Sequence, residues 1–442
     1  MIISGALLVN GLRCLFPSTV LFASTVPYAM VAASWGVLAR LLPSNVYSVV
    51  DDKMWGFYQK LVLYFFENAS GVRIVLHGDT EELLKGASEN AIYISNHQSS
   101  VDWIVADMVA ERCNRLGNMR FVLKEELKWI PLYGWYFALH GCVYVRRSGG
   151  FRADITTRSL SRLANSTMPF FLVLFPEGTR FHTEKRDGLV KSQKFAQSMG
   201  YAPLAHHYMP RKRGMQLLLD NLRHRIDCVY DVTVIYDSTR ITKFSDNSSY
   251  YTEINQSQDA EIDYRNRCNN EKMLDDSTEM DEIKKFKGKN NEIHSYYRRT
   301  SGSASNGARF TENKKKKYER TDAPGMFDFV SSCSGSKVHI LIKRYSIDEI
   351  PHEADDVERW LYERFVEKDS HFASFLAGNQ PFVGYPGIES NLSLTKTLPS
   401  FVFFALTITG CVVVPVFRTM YVPAAIVLTL GGYMVIWLKE MA

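Results

Sequence analysis

The sequence predicts an α/β layered domain with membrane-spanning helices at both ends of the chain. Between residues 72 and 236, short apolar runs alternate with amphipathic stretches, as strands and helices do when they pack in layers. Residues 15–38 carry no charge, and two further apolar runs, 398–417 and 421–438, close the chain. Because sites in such α/β domains form at the carboxyl ends of strands, we expect the functional side chains to follow the apolar runs directly.

The composition of the chain narrows the functional class. It has 442 residues and a net charge of +5, which is too mild to indicate a nucleic acid partner. Its seven cysteines are scattered, and no C-x-x-C or H-E-x-x-H sequence is present. This pattern argues against a disulfide framework and against a metal site, and it indicates reduced thiols that face the cytosol.

The uncharged N-terminal segment predicts a membrane anchor within residues 1–42. Residues 15–38 are long enough to cross a hydrocarbon core of about 30 Å. A cleaved signal peptide is the alternative, but the segment is long for one, contains Pro17 and Pro27, and follows no basic stretch. We therefore expect an uncleaved anchor, as one helix or as a helical hairpin that also uses residues 2–12.

The C-terminal runs predict a second membrane segment, a hairpin over residues 398–438. Only residues 418–420 separate the two runs, so we expect a tight turn there unless one run lies shallow in the membrane. Lys396 and Lys439 flank the pair and favour cytosolic ends, although Arg418 at the turn weakens that bias. Buried core helices are the alternative, which the lack of any charged face for solvent disfavours.

The region between these anchors divides into an α/β domain at 68–237, a polar insertion at 238–325 and a returning α/β part at 326–390. Strands are predicted in the apolar runs 73–76, 91–95, 120–123, 142–145, 170–175, 229–236 and 337–342. Helices are predicted at 102–112, 151–164, 189–198 and 355–368. The insertion is rich in Asn, Ser, Asp, Glu and Lys and holds few aliphatic residues, so we expect it to be disordered.

The first candidate site is Asn96-His97-Gln98-Ser99-Ser100-Val101-Asp102-Trp103, directly after the predicted strand 91–95. A His at a strand end with an Asp five residues later can hold an imidazole over a cleft with a carboxylate behind it. A His whose tautomer is fixed by a second group is the basic unit of general-base catalysis. The alternative is a surface His beside a helix-capping Asp, since Ser and Asp commonly precede helices.

The second candidate site is Phe175-Pro176-Glu177-Gly178-Thr179-Arg180, at the end of the predicted strand 170–175. Pro and Gly favour a tight turn, and glycine lets the backbone approach a ligand closely. Arg180 offers a planar guanidinium suited to a phosphate, and Glu177 can orient it or bind a hydroxyl. A β-turn closed by a salt bridge is the alternative.

A third strand, 142–145, ends in Arg146-Arg147 and would complete an anion site next to the His. Residues 124–135 (KEELKWIPLYGW) mix charges with large apolar groups. They fit either a membrane-surface lip that admits acyl chains or an aromatic packing corner. Residues 206–213 (HHYMPRKR) add further positive charge, or form a solvated loop.

Three motifs in this order resemble those of a known enzyme family. They are H-x-x-x-x-D at His97 and Asp102, G-x-x-Y-x-x-R at Gly141, Tyr144 and Arg147, and F-P-E-G-T-R at 175–180. Together they are similar to the 1-acylglycerol-3-phosphate acyltransferases, a family of glycerolipid acyltransferases. Residues 124–135, 230–233 and 360–365 look most like the epsilon-type members and their lysocardiolipin and lysophosphatidylinositol relatives.

The resemblance implies a glycerol-3-phosphate acyltransferase-like fold and acyl-CoA-dependent transfer to the free sn-2 hydroxyl of lysophosphatidic acid, giving phosphatidic acid. His97 would act as the base and Asp102 would fix its tautomer. Attack would be direct, because the chain has no G-x-S-x-G nucleophile elbow. The substrate-binding residues would be Arg147, Glu177, Gly178, Thr179, Arg180 and Lys124. The resemblance implies no metal and no cofactor, with acyl-CoA as co-substrate.

The implied partners are acyl-CoA, a lysophospholipid and a lipid bilayer, with no nucleic acid. The expected location is the endoplasmic reticulum membrane, and the epsilon-type resemblance makes the mitochondrial outer membrane the alternative. Other functions to weigh are remodelling of lysocardiolipin or lysophosphatidylinositol, lipid hydrolysis by activated water, and a non-catalytic membrane scaffold. The missing nucleophile elbow disfavours the hydrolase, and the intact His97, Asp102, Glu177 and Arg180 disfavour the scaffold.

Overall fold

The computed structural model describes residues 2–85, 88–145, 153–166, 168–243 and 317–441. The chain divides into two compact units, one of Met1–Ile241 with Tyr318–Ala442 and one of Thr242–Lys317. Almost all of the second unit lies outside the described residues. The large sheet and the apolar helices belong to the first unit.

Helices form both ends of the chain and cover the two faces of a central sheet. In chain order they are α1 (Ile2–Leu38), α2 (Ser44–Leu63), α3 (Thr80–Lys85), α4 (Asp102–Arg112), α5 (Tyr133–Leu139), α6 (Ala153–Ala164), α7 (Arg186–Ser198), α8 (Lys212–Leu222), α9 (Met326–Ser332), α10 (Ala354–Leu376), α11 (Leu394–Val413) and α12 (Pro415–Met441). Single turns of 3₁₀ or π helix link several of these helices to the strands.

The strands form one large sheet and one small one. In chain order they are β1 (Arg73–Gly78), β2 (Ala91–Ser95), β3 (Met119–Lys124), β4 (Val143–Val145), β5 (Phe171–Leu174), β6 (Cys228–Tyr236), β7 (Arg240–Lys243), β8 (Lys317–Arg320), β9 (Lys337–Ser346) and β10 (Ile388–Glu389). In the described chain, β7 and β8 form a two-stranded sheet, and the other strands form an eight-stranded sheet in the order β10-β1-β9-β6-β2-β5-β3-β4.

Five neighbouring strands of the large sheet run parallel, which brings their carboxyl ends to one edge. Strand β2 lies between β5 and β6 and pairs in parallel with both. Strand β3 pairs in parallel with β5 and β4, whereas β9 is antiparallel to β6. The segments that follow β2, β5 and β6 therefore meet at this edge, as expected for sites in α/β domains.

The sheet is buried on both faces. Ala91 and Tyr93 of β2 belong to one apolar core, which also includes side chains of α2 and α4. Ile92 and Ile94 belong to a second core, which includes side chains of α8 and α10. This alternation follows from the two-residue repeat of a strand, and burial on both faces explains why the strands appear as continuous apolar runs in the sequence.

Most of the predicted elements are confirmed. The strand predictions correspond to β1–β6 and β9, and the helix predictions correspond to α4, α6, α7 and α10. Strand β9 and helix α10 both extend beyond their predicted ends. The helices without a counterpart in the sequence prediction are α2, α3, α5, α8 and α9.

Three helices of the described chain are long and apolar enough to cross a membrane. The candidate spans are Leu15–Leu41, Leu394–Val413 and Pro415–Leu438. Helix α1 continues without a break from Ile2 through Pro17 and Pro27. The alternative of a helical hairpin that uses residues 2–12 is therefore wrong.

The break between the C-terminal helices falls earlier than predicted. Val414 separates α11 from α12 and has an extended backbone, with φ of −80° and ψ of 117°. The proline at 415 explains this position, because a residue that precedes proline avoids the helical conformation. Arg418 lies inside the first turn of α12, so the turn predicted at 418–420 is wrong.

The two ends of the predicted insertion are structured. Residues 237–243 form a 3₁₀ turn and β7, and residues 317–320 form β8. The N–H of Thr321 donates to the carbonyl of Thr239 at 2.9 Å, and the guanidinium of Arg240 lies 4.0 Å from the ring centre of Phe375. The predicted boundaries at 238 and 325 are thus too wide, because these contacts depend on distant residues that composition does not show. Residues 244–316 lie outside the described residues.

Candidate active site

The segment after β2 forms a fixed turn at the carboxyl edge of the sheet. The side chain of Asn96 continues the pairing with β6, since its carbonyl accepts from Val234 N–H at 2.8 Å and its amide donates to Val234 O at 3.1 Å. Residues 97–101 then turn back, and α4 begins at Asp102. We call residues 96–102 the catalytic turn.

His97 and Asp102 form a hydrogen-bonded pair within this turn. Nδ1 of His97 lies 2.8 Å from Oδ2 of Asp102. Because an aspartate at this distance accepts a hydrogen bond, Nδ1 carries the proton and Nε2 presents its lone pair. The two side chains have different surroundings: that of His97 is 22% exposed, whereas that of Asp102 is 1% exposed.

Asp102 is held in place by further donors. Its Oδ2 accepts the N–H groups of Gln98 at 2.7 Å and Ser99 at 2.8 Å. Its Oδ1 accepts the hydroxyl of Tyr236, at the end of β6, at 2.6 Å. Burial raises the pKa of Tyr236 well above its ordinary value, so the phenol stays protonated and donates. Asp102 is therefore not a simple cap of α4, because its carboxylate organises the turn that precedes the helix.

The imidazole of His97 is supported on one face and open at Nε2. Its ring stacks on Phe175 with ring centres 4.4 Å apart and planes 23° apart. Among the described residues, Nε2 has no hydrogen-bond partner. The nearby Ser99 hydroxyl is already used, since it donates to Pro324 O and accepts from Val101 N–H. This arrangement is suited to a general base and not to a serine nucleophile.

Glu177 joins the second motif to the catalytic turn. Its Oε1 accepts the backbone N–H of His97 at 2.6 Å, and its Oε2 accepts that of Tyr208 at 3.0 Å. The residue is only 2% exposed, and burial raises its pKa to about 8. The structure thus places Glu177 beneath the catalytic turn with backbone groups as its partners, and the predicted contact with substrate stays a prediction.

The glycine of this motif is required by its backbone conformation. Gly178 has a φ of +73°, a region that side chains with a Cβ seldom adopt. Its N–H donates to Phe175 O at 3.0 Å, which closes the tight turn predicted from the sequence. Beyond the turn, Thr179 and Arg180 are exposed.

A basic cavity of about 680 Å³ opens beside this turn. Thr179 and Arg180 line it. Its other basic lining residues are Lys185, Arg186, Lys191 and Arg211. Glu177, Glu184 and Asp187 also line the cavity, so basic side chains outnumber acidic ones there. An excess of basic groups in a concave site favours an anionic ligand such as a phosphate, and the role of Arg180 stays a prediction.

Two other predicted site residues, Lys124 and Arg147, are not shown to line this cavity. Lys124 is the last residue of β3 and is exposed at the same edge of the sheet. Arg147 lies outside the described residues. Tyr144, from the same motif, donates its hydroxyl to Gly134 O at 2.8 Å, so it fixes β4 against the segment 124–135.

The segment 124–135 fits both interpretations of its sequence. Trp135 is 4% exposed and packs in the first core, which confirms a packing corner. Trp129 is 48% exposed, and its carbonyl accepts the hydroxyl of Tyr433 on α12 at 2.7 Å. The exposed face therefore lies beside a helix able to cross a membrane.

The segment 206–213 differs from one interpretation of its sequence. His207 and Tyr208 are buried, so the interpretation of residues 206–213 as a solvated loop is wrong at those positions.

One group of acidic and imidazole side chains resembles a metal site. Asp51, Asp52 and His140 are buried with their potential ligand atoms close together. Arg120 donates to Oδ1 of Asp52 at 2.5 Å and lies 2.7 Å from Nε2 of His140. The guanidinium supplies positive charge between these groups, and the cluster ties α2 to α5 and β3.

Sequence reasoning missed Tyr236, the phenol that holds Asp102. It ends an apolar strand, where an aromatic residue is ordinary, and 134 positions separate it from its partner. It also missed Arg320, whose guanidinium reaches Gln98 in the catalytic turn. No local sequence signal marks either residue, because each contact depends on the way the strands are ordered.

Comparison with known proteins decides the family. Residues 73–236 match the model of an acyltransferase domain, and residues 329–404 match that of an acyltransferase C-terminus. The chain is 34% identical to mouse 1-acyl-sn-glycerol-3-phosphate acyltransferase epsilon over 405 residues, which are 90% of this chain and 89% of the relative. The chain belongs to the 1-acyl-sn-glycerol-3-phosphate acyltransferase family.

Other members of the 1-acyl-sn-glycerol-3-phosphate acyltransferase family match a shorter part of the chain. Acyltransferase 2 of Arabidopsis thaliana is 30% identical over 46% of this chain and 51% of its own length. The delta acyltransferase of Bos taurus is 32% identical over 37% of this chain and 43% of its own length. The chain is thus an acyltransferase, and its catalytic turn and basic cavity lie within the matched domain.

Proposed function

We propose that the protein transfers a fatty acyl group from acyl-CoA to the sn-2 hydroxyl of 1-acyl-sn-glycerol 3-phosphate and so produces phosphatidic acid. The observation that supports this most directly is the pair His97–Asp102, with Nδ1 held at 2.8 Å and Nε2 open, at the same edge of the sheet as the basic cavity. The name of the mouse relative supports the same acceptor, 1-acyl-sn-glycerol 3-phosphate.

The chemistry assigned to His97 is direct general-base catalysis. Nε2 takes the proton of the acceptor hydroxyl while the hydroxyl oxygen attacks the thioester carbonyl of acyl-CoA. The tetrahedral intermediate then breaks the C–S bond, and the imidazolium returns the proton to the leaving thiolate. The products are the new ester and free CoA. Asp102 stabilises the imidazolium, a role whose loss costs about 10⁴ in rate in a serine protease triad.

The basic cavity is suited to the phosphate of the acceptor. Arg180 is exposed in its wall and can grip phosphate oxygens with two parallel N–H groups. The acceptor is a lipid, and the three apolar helices would keep the enzyme at the bilayer that contains it. We propose the endoplasmic reticulum membrane as the location, with the mitochondrial outer membrane as the alternative.

The test is CoA release by the purified full-length protein with oleoyl-CoA and a panel of lysophospholipids, for the wild type beside His97→Ala. We expect release that requires lysophosphatidic acid and disappears in the variant. Release with lysocardiolipin or lysophosphatidylinositol instead would make the protein a remodelling acyltransferase. Release that is independent of His97, or absent with every acceptor, would disprove the proposed mechanism.

A further inference from the structure

A segment outside the three family motifs lies across the catalytic turn. Residues 320–325, which we call the strap, run from the end of β8 to the start of α9. The guanidinium of Arg320 donates to His206 O at 2.5 Å and to Oε1 of Gln98 at 3.3 Å. It lies between two aromatic rings, 3.9 Å from the centre of Phe181 and 4.5 Å from that of Phe372.

Two other residues of the strap contact the same region. Asp322 accepts the N–H of Thr183 at 2.6 Å and its hydroxyl at 2.9 Å. The carbonyl of Pro324 accepts the hydroxyl of Ser99. The strap therefore contacts both the catalytic turn and the segment that follows F-P-E-G-T-R.

Gln98 links the strap to the catalytic pair. Its side-chain amide donates to Val234 O at 2.8 Å, while its carbonyl oxygen accepts from Arg320. Its backbone N–H donates to Oδ2 of Asp102 at 2.7 Å. Because both polar atoms of the Gln98 side chain are hydrogen-bonded, the backbone of Gln98 is held in place. Its N–H group in turn holds the Asp102 carboxylate, which orients His97.

Arg320 is half-buried, and enclosing a guanidinium between two rings is costly unless polar partners compensate. Burial lowers the pKa of Arg320 to about 10, and the negative charges of Asp369 and Asp322 oppose this decrease. The group therefore remains cationic at neutral pH. Desolvating a charge in a protein interior is unfavourable unless specific partners compensate, and here those partners surround the catalytic turn.

We propose that Arg320 is a positioning residue, which aligns the His97–Asp102 pair through the side chain of Gln98. This inference rests on the proposed general-base role of His97. Arg320 does not touch the reacting atoms, so its loss affects the rate of the chemical step and leaves substrate binding largely unchanged.

The test is a double-mutant cycle of Arg320→Gln and Gln98→Ala, measured as kcat and KM for both substrates in the full-length protein. We expect each single variant to lower kcat about tenfold or more, the order of a lost hydrogen bond to a charged group, with little change in KM. The double variant should be no slower than the worse single variant, because both changes break one connection. Arg320→Lys keeps the charge without the paired donors and should restore only part of the rate.

Arg223→Gln is the matched control. This arginine also donates to backbone carbonyls, those of Ile347, Ile350 and Pro351, but it precedes β6 and so lies at the opposite edge of the sheet. It should lower the melting temperature and leave kcat unchanged. Multiplicative losses in the double variant, or an effect of Arg320→Gln confined to KM, would overturn the proposal. Activity that survives His97→Ala would instead show that the proposed function has failed.

Discussion

The carboxylate of Asp102 is the most constrained side chain of the candidate site. Four donors converge on its two oxygens: Nδ1 of His97, two backbone N–H groups and the hydroxyl of Tyr236. A carboxylate fixed in this way cannot rotate away when the imidazole becomes charged. It is therefore preorganised for the step in which His97 accepts a proton.

Replacing Tyr236 by Phe should slow catalysis without weakening substrate binding. The change removes the 2.6 Å bond to Oδ1 of Asp102 and leaves the buried ring in place. We expect kcat to fall about tenfold, the order of one hydrogen bond to a charged acceptor, at constant KM. Tyr230→Phe is the control, since Tyr230 lies on the same strand and donates to Glu89 at 3.1 Å, at the other end of the sheet. Equal losses in both variants would contradict a specific role of Tyr236.

The raised pKa of Glu177 predicts a pH dependence of stability. Folding raises this pKa from 4.5 to about 8, so the folded protein keeps a proton that the unfolded chain releases near pH 4.5. The contribution of Glu177 to the free energy of unfolding is therefore fully present below pH 4.5, decreases as the pH rises, and becomes constant above about pH 8.

Thermal unfolding of the wild type and of Glu177→Gln in detergent, from pH 5 to pH 9, isolates this contribution. As the pH rises from 5, the wild type should become less stable relative to Glu177→Gln. The difference between the two melting temperatures should become constant near pH 8. A difference that is independent of pH would show that Glu177 does not change its ionisation on folding.

The site residues differ in how far the sequence could reveal them. His97 and Asp102 are five positions apart, so the turn that joins them is encoded locally and its motif was sufficient. The contact between Glu177 and the backbone of His97 spans 80 positions. Its two oxygens accept hydrogen bonds from main-chain N–H groups, which side-chain patterns do not show, so the sequence could not reveal this contact.

At the scale of elements, the insertion between β7 and β8 should be dispensable. Deleting residues 245–316 and joining the ends by a short Gly-Ser linker removes neither strand. We expect CoA release within about twofold of the wild type, because the closure entropy of a connecting segment changes only logarithmically with its length. Extending the deletion through Asp322 removes β8 together with Arg320 and its hydrogen bond to Gln98 and should lower activity at least about tenfold. Loss of activity in the shorter deletion would show that the insertion contributes to folding or catalysis.

Helix α2 shows why some elements escaped prediction. It carries the adjacent carboxylates Asp51 and Asp52, which interrupt any apolar stripe. Both are buried, because His140 lies 2.7 Å from Asp51 and Arg120 donates to Asp52 at 2.5 Å. These partners come from distant segments, so nothing in the local sequence shows that these polar positions are interior ones. By contrast, α4 and β2 were predicted with their observed bounds, because their burial follows from apolar residues in their own sequence.

At the scale of the whole molecule, Gly432 allows α12 to pack closely against Trp135 of the catalytic domain. A Cβ added to Gly432 would lie 2.0 Å from the Trp135 ring. Gly432→Ala should therefore lower the melting temperature in detergent by a few degrees, because overpacking costs about 1–3 kcal/mol and exceeds the gain in helix propensity.

The neighbouring Gly431 provides the control for this substitution. An added Cβ at Gly431 meets nothing within 4 Å, so Gly431→Ala should leave the melting temperature unchanged or raise it slightly. Activity on lysophosphatidic acid in vesicles should follow the same order in the two variants. Equal melting temperatures for the two would show that α12 does not pack on Trp135.

The backbone hydrogen bond from Thr321 N–H to Thr239 O, 2.9 Å long, has a consequence for protein engineering. It holds the segments before β7 and after β8 next to each other, and the chain after β8 continues into the strap that contacts Gln98. A guest protein whose own termini are adjacent could be inserted between β7 and β8, which leaves both strands and Arg320 in place. A guest that changes shape on binding a small molecule would then pull on Arg320, which would make phospholipid synthesis responsive to an added ligand.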